Sequence, residues 1–284
     1  NDFSPVAEWV AARKREGTSC TVEGFVSAAA RIAAAARDKK LDISGTLFLT
    51  TGEALTAAKR ALIESTGAEA FSYYHIHEIG PIGQGCRKMT EGNSVHFFKD
   101  ALAAITYRRT APLSGVDVNS ILFTQLLPIG PRVLINAEMD DGGVIEPFQC
   151  DCTYAAAGFH LRIRDIASYG KMTGQGITLV GTDLIRILEE SLPVRFGGAA
   201  GDYQLVEADE GSGTKILLHM SPRTKQSKSW EVREYFLAEV RKLYGGSLAV
   251  RVWNHSEGVE VVRAEPYRTP AGKVLPLHLL GSKS

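Results

Sequence analysis

Cysteine is scarce, with four residues in a chain of 284. A disulfide-stapled secreted domain is normally smaller and far denser in cysteine, so a reducing, cytoplasmic setting is expected. There is no excess of either charge, 32 Lys and Arg standing against 32 Asp and Glu. The sequence therefore carries no basic footprint for nucleic acid. No apolar run approaches the roughly 20 residues that span a bilayer. The longest tempting stretch, Ala28 to Ala36, is interrupted by Arg31 and followed by Arg37, so neither a membrane nor a nucleic acid is an expected partner. No basic segment followed by an apolar core marks a secretory signal. What is present is ordinary for a folded domain, 44% hydrophobic and 23% charged residues, which excludes intrinsic disorder and allows one large domain or two modest ones. The first residue is Asn1 rather than Met, so a processed chain or a piece of a longer one is expected.

Local signals give an α/β reading. Ser4 is the expected N-cap of a first helix, with Pro5 at its first position and Gly17 at its stop. An Ala-rich helix is expected from Val22 to Lys39, then a buried strand over Gly45–Thr50, a helix from the Thr56 cap to Gly67, and a strand over Ala70–Tyr74. Strands follow at Ile121–Leu127, Arg132–Ala137 and Gly143–Phe148. Tyr169 to Gly176 is rich in Gly and polar residues and reads as a hinge. Beyond it come a helix over Thr182–Ser191, strands at Tyr203–Ala208 and Lys215–Met220, a helix over Ser229–Tyr244, and strands at Leu248–Trp253 and Val259–Ala264. Two domains are expected, residues 1–169 and 170–284, the second a small α+β unit.

Three places carry chemistry. Cys86, His96, Cys150 and Cys152 offer three thiolates and one imidazole, a donor set suited to a closed tetrahedral zinc site. Their spacing matches no standard finger, and buried thiols beside an unrelated His remain the alternative. Phe71 to Gly80 runs a strand into Tyr74-His75-Ile76-His77-Glu78, polar groups at a strand end where α/β folds build their sites. A buried aromatic strand end with satisfied histidines is the other reading. Near the C-terminus, Thr269-Pro270-Ala271-Gly272-Lys273 holds a Lys in a turn, able to deliver a point charge to a phosphate or carboxylate, or simply a solvated surface charge.

Taken in order, these segments resemble the C-terminal portion of the adenylate-forming superfamily of acyl-coenzyme A synthetases, adenylation domains and luciferase. Within it the likeness is to the phenylacetate-coenzyme A ligase branch. Thr51-Gly52-Glu53-Ala54-Leu55-Thr56 resembles the family's Gly-Gly-Glu-x-Leu-Thr segment beside the nucleotide. Tyr74 to Glu78 resembles Tyr-Gly-x-Thr-Glu, in which the Tyr stacks on adenine and the Glu binds Mg²⁺. The stretch Asn136 to Asp141 falls where the family places the Asp that holds the ribose hydroxyls, and Asp140 is preferred over Asp141. Ile166 to Gly176 resembles the hinge, with Lys171 near its pivot, and Thr269 to Lys273 resembles Thr-x-Ser-Gly-Lys. A Cys, a following His and a late Cys-x-Cys form a structural zinc site in that branch, and Cys86, His96, Cys150 and Cys152 match the pattern one for one.

The resemblance implies part of the large layered domain of an adenylate-forming enzyme followed by a small α+β C-terminal domain. It implies ATP and AMP, Mg²⁺, structural Zn²⁺ and coenzyme A as cofactors, and a small carboxylic acid as substrate. It also implies coenzyme A or a carrier-protein thiol as acceptor. Glu78 and Lys273 would be catalytic, with Gly52, Glu53, Tyr74, His77, Asp140 and Lys171 around the cofactor. Departures accompany it: His75 and His77 stand for Gly and Thr, Ala271 stands for Ser, and no Ser/Thr/Gly-rich phosphate loop precedes Gly52. A missing N-terminal segment, a degenerate relative, or a homodimer completing its site from a second chain would each account for that. A non-catalytic, zinc-stabilised binding module is the rival class, supported by the two histidines and the missing loop and opposed by the retained Gly272-Lys273. A hydrolase using His75, His77 and Glu78 on a catalytic metal has no further ligand cluster to support it.

Overall fold

The computed structural model describes residues 2–90, 93–110, 117–127, 133–168, 181–209, 214–243, 250, 253, 259–270 and 272–280. These divide into two compact units. The first lies within Asn1–Arg109 and Asp117–Ser168, the second within Thr110–Val116 and Tyr169–Ser284.

The first unit is a nine-stranded mixed sheet. Helix α1 (Ser4–Arg15) carries Pro5 in its first turn. Ser4 is its first residue rather than its cap; its N–H donates to the Asp2 carboxylate at 2.9 Å. Gly17, at φ +76°, closes the helix, its N–H donating to Lys14 O while Thr18 N–H reaches back to Arg13 O. That pair of bonds is a Schellman ending. Strand β1 (Thr21–Phe25) precedes helix α2 (Val26–Asp38), so the long helix expected from Val22 begins four residues later. Thr21, Val22 and Gly24 are poor helix formers, and pairing with β2 (Leu47–Thr51), parallel from Thr21↔Leu47 to Phe25↔Thr51, takes the segment into the sheet. Val26, Ala29, Ile32, Ala33 and Ala36 of the buried face of α2 pack with α1 and the sheet in one core that also holds Ile43, Phe48, Leu55 and Ile63.

Helix α3 (Ala57–Glu64) is capped as expected, the Thr56 hydroxyl accepting from Lys59 N–H. Strand β3 (Glu69–Ile76) runs parallel to β2 and antiparallel to β4 (Gly80–Gln84), with a bulge between Tyr74 and His75. It is the strand at which the sheet changes from parallel to antiparallel. Strands β5 (Val95–Phe97), β6 (Leu102–Thr110), β7 (Asp117–Gln125), β8 (Ala137–Pro147) and β9 (Leu161–Ser168), with the short helix α4 (Thr153–Ala156) before β9, complete the order β1-β2-β3-β4-β5-β9-β8-β7-β6. The strand expected at Arg132–Ala137 is absent over residues 133–136. Val133 and Ile135 there are 88% and 73% exposed, and without a packing surface their β-branched side chains do not make a strand.

The second unit opens with α5 (Gly181–Arg186), a π-helical turn over Ile187–Ser191, and α6 (Leu192–Phe196), extending the expected helix past Pro193. Strands β10 (Tyr203–Asp209), β11 (Thr214–Met220), β12 (Val259–Arg263) and β13 (Leu277–Leu280) form a sheet in the order β12-β11-β10-β13. Helix α7 (Ser229–Arg241) buries Val232, Phe236, Leu237 and Val240. Of the strand expected at Leu248–Trp253, the described residues Val250 and Trp253 are helical; Trp253 stacks on Phe236 at 6.2 Å. The hinge Tyr169–Gly176 lies outside the described residues. No described helix is long and apolar enough to cross a membrane.

One helix ending stores strain. After α2, Lys40 sits at φ +53°, with Lys40 N–H bonded to Arg37 O and Leu41 N–H to Ala36 O. It is the glycine position of a Schellman motif occupied by a side chain. Lys40→Gly is expected to stabilise the chain by about 1 kcal/mol, read as an increase in the urea midpoint; a decrease would contradict the assigned conformation.

Candidate functional site

The Cys/His cluster is assembled by three segments of the first unit. Cys86 follows β4, His96 lies in β5, and Cys150 and Cys152 follow β8, with Cys152 at the N-cap of α4. In the sheet, β4, β5, β9 and β8 are successive neighbours, so residues remote in sequence meet at one end of it. Two glycines allow the approach. A Cβ on Gly83 would lie 2.3 Å from His96 O, and one on Gly85 would lie 3.0 Å from Ser94 O.

The four donor atoms lie within 4.8 Å of one another. Cys86 Sγ is 3.4 Å from His96 Nε2 and 3.7 Å from Cys150 Sγ, and Cys152 Sγ is 3.2 Å from His96 Nε2. A tetrahedral ion with thiolate and imidazole ligands at about 2.3 and 2.0 Å sets its donors roughly 3.5–3.8 Å apart. The residues present fit such an ion. His96 Nδ1 lies 2.9 Å from Phe159 O. A carbonyl can only accept, so Nδ1 carries the proton and Nε2 presents its lone pair to the thiols, the usual outer partnership of a metal-binding imidazole. The ring is fully buried, between Tyr154 at 5.5 Å and Phe148 at 5.6 Å, and burial holds its pKa below the ordinary value. Burial also pushes the Cys86 thiol up to about 12. Burial opposes the Cys152 thiolate as well, but Ala155 N–H, the neighbouring thiols and Tyr154 N–H outweigh it and lower that pKa. All four cysteines are free of disulfides.

The second group lies at the far end of β3. Tyr74 donates its hydroxyl to Asp141 Oδ2 at 2.8 Å and packs edge-on against Phe123 at 6.3 Å. Burial first, then the Asp141 carboxylate, drives the phenol pKa far above its usual value. Across the bulge, Tyr73, His75 and His77 form a run of ring contacts at 5.9 and 5.7 Å, and His77 and Glu78 are exposed in the β3–β4 turn. Asp140, the preferred ribose ligand, is exposed at φ +57°; it is its neighbour Asp141 that meets Tyr74.

Gly52 turns the chain out of β2 at φ +73°. Glu53 is thereby aimed at the N-terminus of α2, where its carboxylate accepts from Ser27 N–H at 2.7 Å and Ser27 hydroxyl at 2.9 Å. Phe25, in the N-cap position, offers no side-chain acceptor. Glu53 caps the helix in its place and meets its positive dipole end.

Lys273 belongs to the second unit. Gly272 N–H donates to Thr269 O at 2.8 Å, Thr269 N–H to Lys273 O at 2.9 Å, and Lys273 N–H to the Thr269 hydroxyl at 3.0 Å, with Gly272 at φ +87°. The motif residues Thr, Gly and Lys thus build one closed turn. Ala271 and Lys171 lie outside the described residues.

Sequence reasoning passed over Asp165, which is strained at φ +53° where the β8–β9 register slips between Gly142 and Val144. Its signal was present: Leu161 and Ile163 alternate and the next apolar residue is Ile166, a one-residue phase shift that marks a bulge. It also passed over Gln204, whose buried contacts have no sequence signature.

No protein-family model matches the sequence, and no curated protein matches it significantly. Solved structures do. One is 2-hydroxyisobutyryl-CoA ligase in the postadenylation state with R3-HIB-AMP. It is 14% identical, with a TM-score of 0.65 over 97% of this chain and 56% of that one. Another is the anthranilate CoA ligase AuaEII with anthranoyl-AMP, 12% identical, TM-score 0.57, covering 96% of this chain and 51% of that one. A third, benzoate CoA ligase from Burkholderia xenovorans LB400, is 13% identical, with a TM-score of 0.51 over 89% and 49%. The chain spans about half the length of these structures, and the fold it shares with them is that of adenylate-forming CoA ligases.

Two outcomes are expected. Cys150→Ser should lower bound metal well below one equivalent per chain and reduce the melting temperature of the purified protein, because a structural ion contributes folding energy. Full metal content with unchanged melting would remove Cys150 from the ligand set. Glu53→Ala should destabilise the chain by about 1–2 kcal/mol in urea through loss of the α2 cap; an unchanged midpoint would mean that the carboxylate does not hold the helix.

Proposed function

We propose that this chain is the part of an adenylate-forming acid–thiol ligase that carries the adenine-side strand and the C-terminal lysine. The observation that carries the reading is the closed Thr269–Lys273 turn, in a chain whose fold is shared with CoA ligases. In the proposed reaction a carboxylate oxygen attacks the α-phosphorus of ATP, the bond to the bridging oxygen breaks, and pyrophosphate leaves with that electron pair. The product is an acyl-adenylate, and a thiol, by default that of coenzyme A, then displaces AMP.

Two anions must approach, so the work of the protein is positioning and charge stabilisation rather than covalent catalysis. Lys273 supplies an ammonium at the carboxylate and α-phosphate. Glu78, exposed in the β3–β4 turn, would hold Mg²⁺, which supplies charge neutralisation at the phosphates. The Tyr74–Asp141 pair, with Asp140 and the strained Asp165 close by in sequence and sheet, forms the nucleoside side, and Gly52 and His77 flank it. Zn²⁺ fits the three-thiolate, one-imidazole cluster, and four protein ligands leave it no open position, so its role is structural. Free thiols suit a cytoplasmic enzyme. A non-catalytic module is the second reading, favoured by Glu53 and Tyr74 being engaged inside the fold.

Acid-dependent ATP–pyrophosphate exchange tests the proposal, run on this chain and on a version extended upstream of Asn1. Exchange is expected in at least one, and Lys273→Ala should reduce it by about 100-fold or more while sparing thioester formation from preformed acyl-adenylate. Silence in both versions, with folded protein and a broad panel of acids, would favour the module. Equal loss of both half-reactions in the variant would remove Lys273 from this role.

A further inference from the structure

A fully buried amide sits beneath the lysine turn. Gln204, in β10, has no solvent exposure, and its side chain makes three hydrogen bonds. Its Nε2 donates to Tyr267 O at 3.1 Å and to Leu275 O at 2.7 Å, and its Oε1 accepts from Tyr267 N–H at 2.7 Å. One amide orientation satisfies all three, since the two carbonyls require the NH₂ and the N–H requires the oxygen. Tyr267 and Leu275 are the two limbs that enter and leave the Thr269–Lys273 turn. A fourth bond joins the same limb to the same strand, Leu205 N–H to Pro276 O at 2.9 Å. The entering limb is also held through its ring: Tyr267 is stacked on His278 at 4.6 Å and tilted against His219 at 5.1 Å. His219 lies opposite Gln204 on β11.

We propose that Gln204 is the positioning residue for Lys273, fixing the base of its turn to the sheet so that the ammonium is presented from a preset loop. The inference rests on the assignment of Lys273 to adenylation. A five-residue turn closed only by Thr269 would hold its own shape but could swing on its two limbs. Bridging the limbs through one buried amide converts that hinge into a rigid base, and holding a catalytic group in place is worth rate rather than substrate affinity. The arrangement also explains why a fully buried polar residue stands near the start of β10, between the buried Tyr203 and Leu205. A buried amide is tolerable only when its donors and acceptor are matched, and here they are matched by backbone groups of the turn's own limbs.

The test uses the full chain, in whichever version shows exchange, with Gln204→Leu and Gln204→Glu. Leu keeps the volume and removes all three bonds. Glu keeps the acceptor for Tyr267 N–H and loses both donors to the carbonyls. Both are expected to lower kcat for ATP–pyrophosphate exchange by tenfold or more, with KM for ATP and acid within twofold, and to leave thioester formation from preformed acyl-adenylate unchanged. Amide hydrogen exchange supplies a readout independent of activity. The Gly272 and Lys273 amides should exchange at least tenfold faster in Gln204→Leu, while protection across the β10–β11 pairing stays as in the unsubstituted chain. If Lys273→Ala leaves exchange activity intact, the lysine assignment falls, and the amide data still decide whether Gln204 orders the turn. If Lys273→Ala abolishes activity and both Gln204 variants keep kcat, the positioning role is overturned. Loss of protection throughout β10 and β11 would overturn it too, in favour of a residue needed only for folding.

Discussion

The first unit depends on one meeting of four side chains. Cys86, His96, Cys150 and Cys152 come from three places in the chain, yet their donor atoms converge within 4.8 Å. The convergence occurs where the sheet is least able to hold itself. Strand β4 is Gly80-Pro81-Ile82-Gly83-Gln84 and β5 is only three residues, so neither offers much ladder or apolar area. Around the cluster, Phe98, Phe148, Tyr154 and Phe159 form a shell of ring contacts, and β8 and β9 pair beside it. An ion binding N and S ligands here would bind these weak central strands to the stronger pair, contributing folding energy that short, Gly-rich strands cannot supply.

Upstream of that point the chain is held mainly by apolar packing. The β1-β2-β3 parallel strands are covered by α1, α2 and α3 in a core of Ala, Val, Ile, Leu and Phe, and the motif side chains beside it are engaged within the fold. Glu53 illustrates the point. A motif resemblance gives it a place beside the nucleotide, but its carboxylate is taken up by the Ser27 N–H and hydroxyl as the cap of α2. Tyr74 likewise spends its hydroxyl on Asp141. Such engagements are compatible with a site, since a ring face and a strand end remain after the hydroxyl is bonded, and they set the orientation of the ring.

Legibility in the sequence followed the strength of local signals. The Thr56 cap, the Gly17 stop and the amphipathic Ser229 helix were readable because each is decided by a few adjacent residues. The Cys86, His96, Cys150 and Cys152 cluster was readable by donor type, not spacing, because tertiary pairing of β4, β5, β8 and β9 brings the four together. Strand β1 was misread as helix because the Ala run that follows dominated the propensity, whereas its pairing partner, β2, lies more than twenty residues away. Strands β4, β5, β6, β9 and β13 were missed for a related reason. Their residues include Gly, Pro, His, Arg and Thr, and they are strands because of their neighbours. Which of Asp140 and Asp141 meets Tyr74 turns on a single-residue register that only the β8 conformation fixes.

The convergence of three thiols and one imidazole on an ion is the claim on which the first unit's account stands, and X-ray absorption at the zinc edge reads it most directly. On chain purified without chelator, the account predicts about one zinc per chain with three sulfur neighbours near 2.3 Å and one nitrogen near 2.0 Å. A shell of oxygen and nitrogen only, or folded protein free of bound metal, would contradict it.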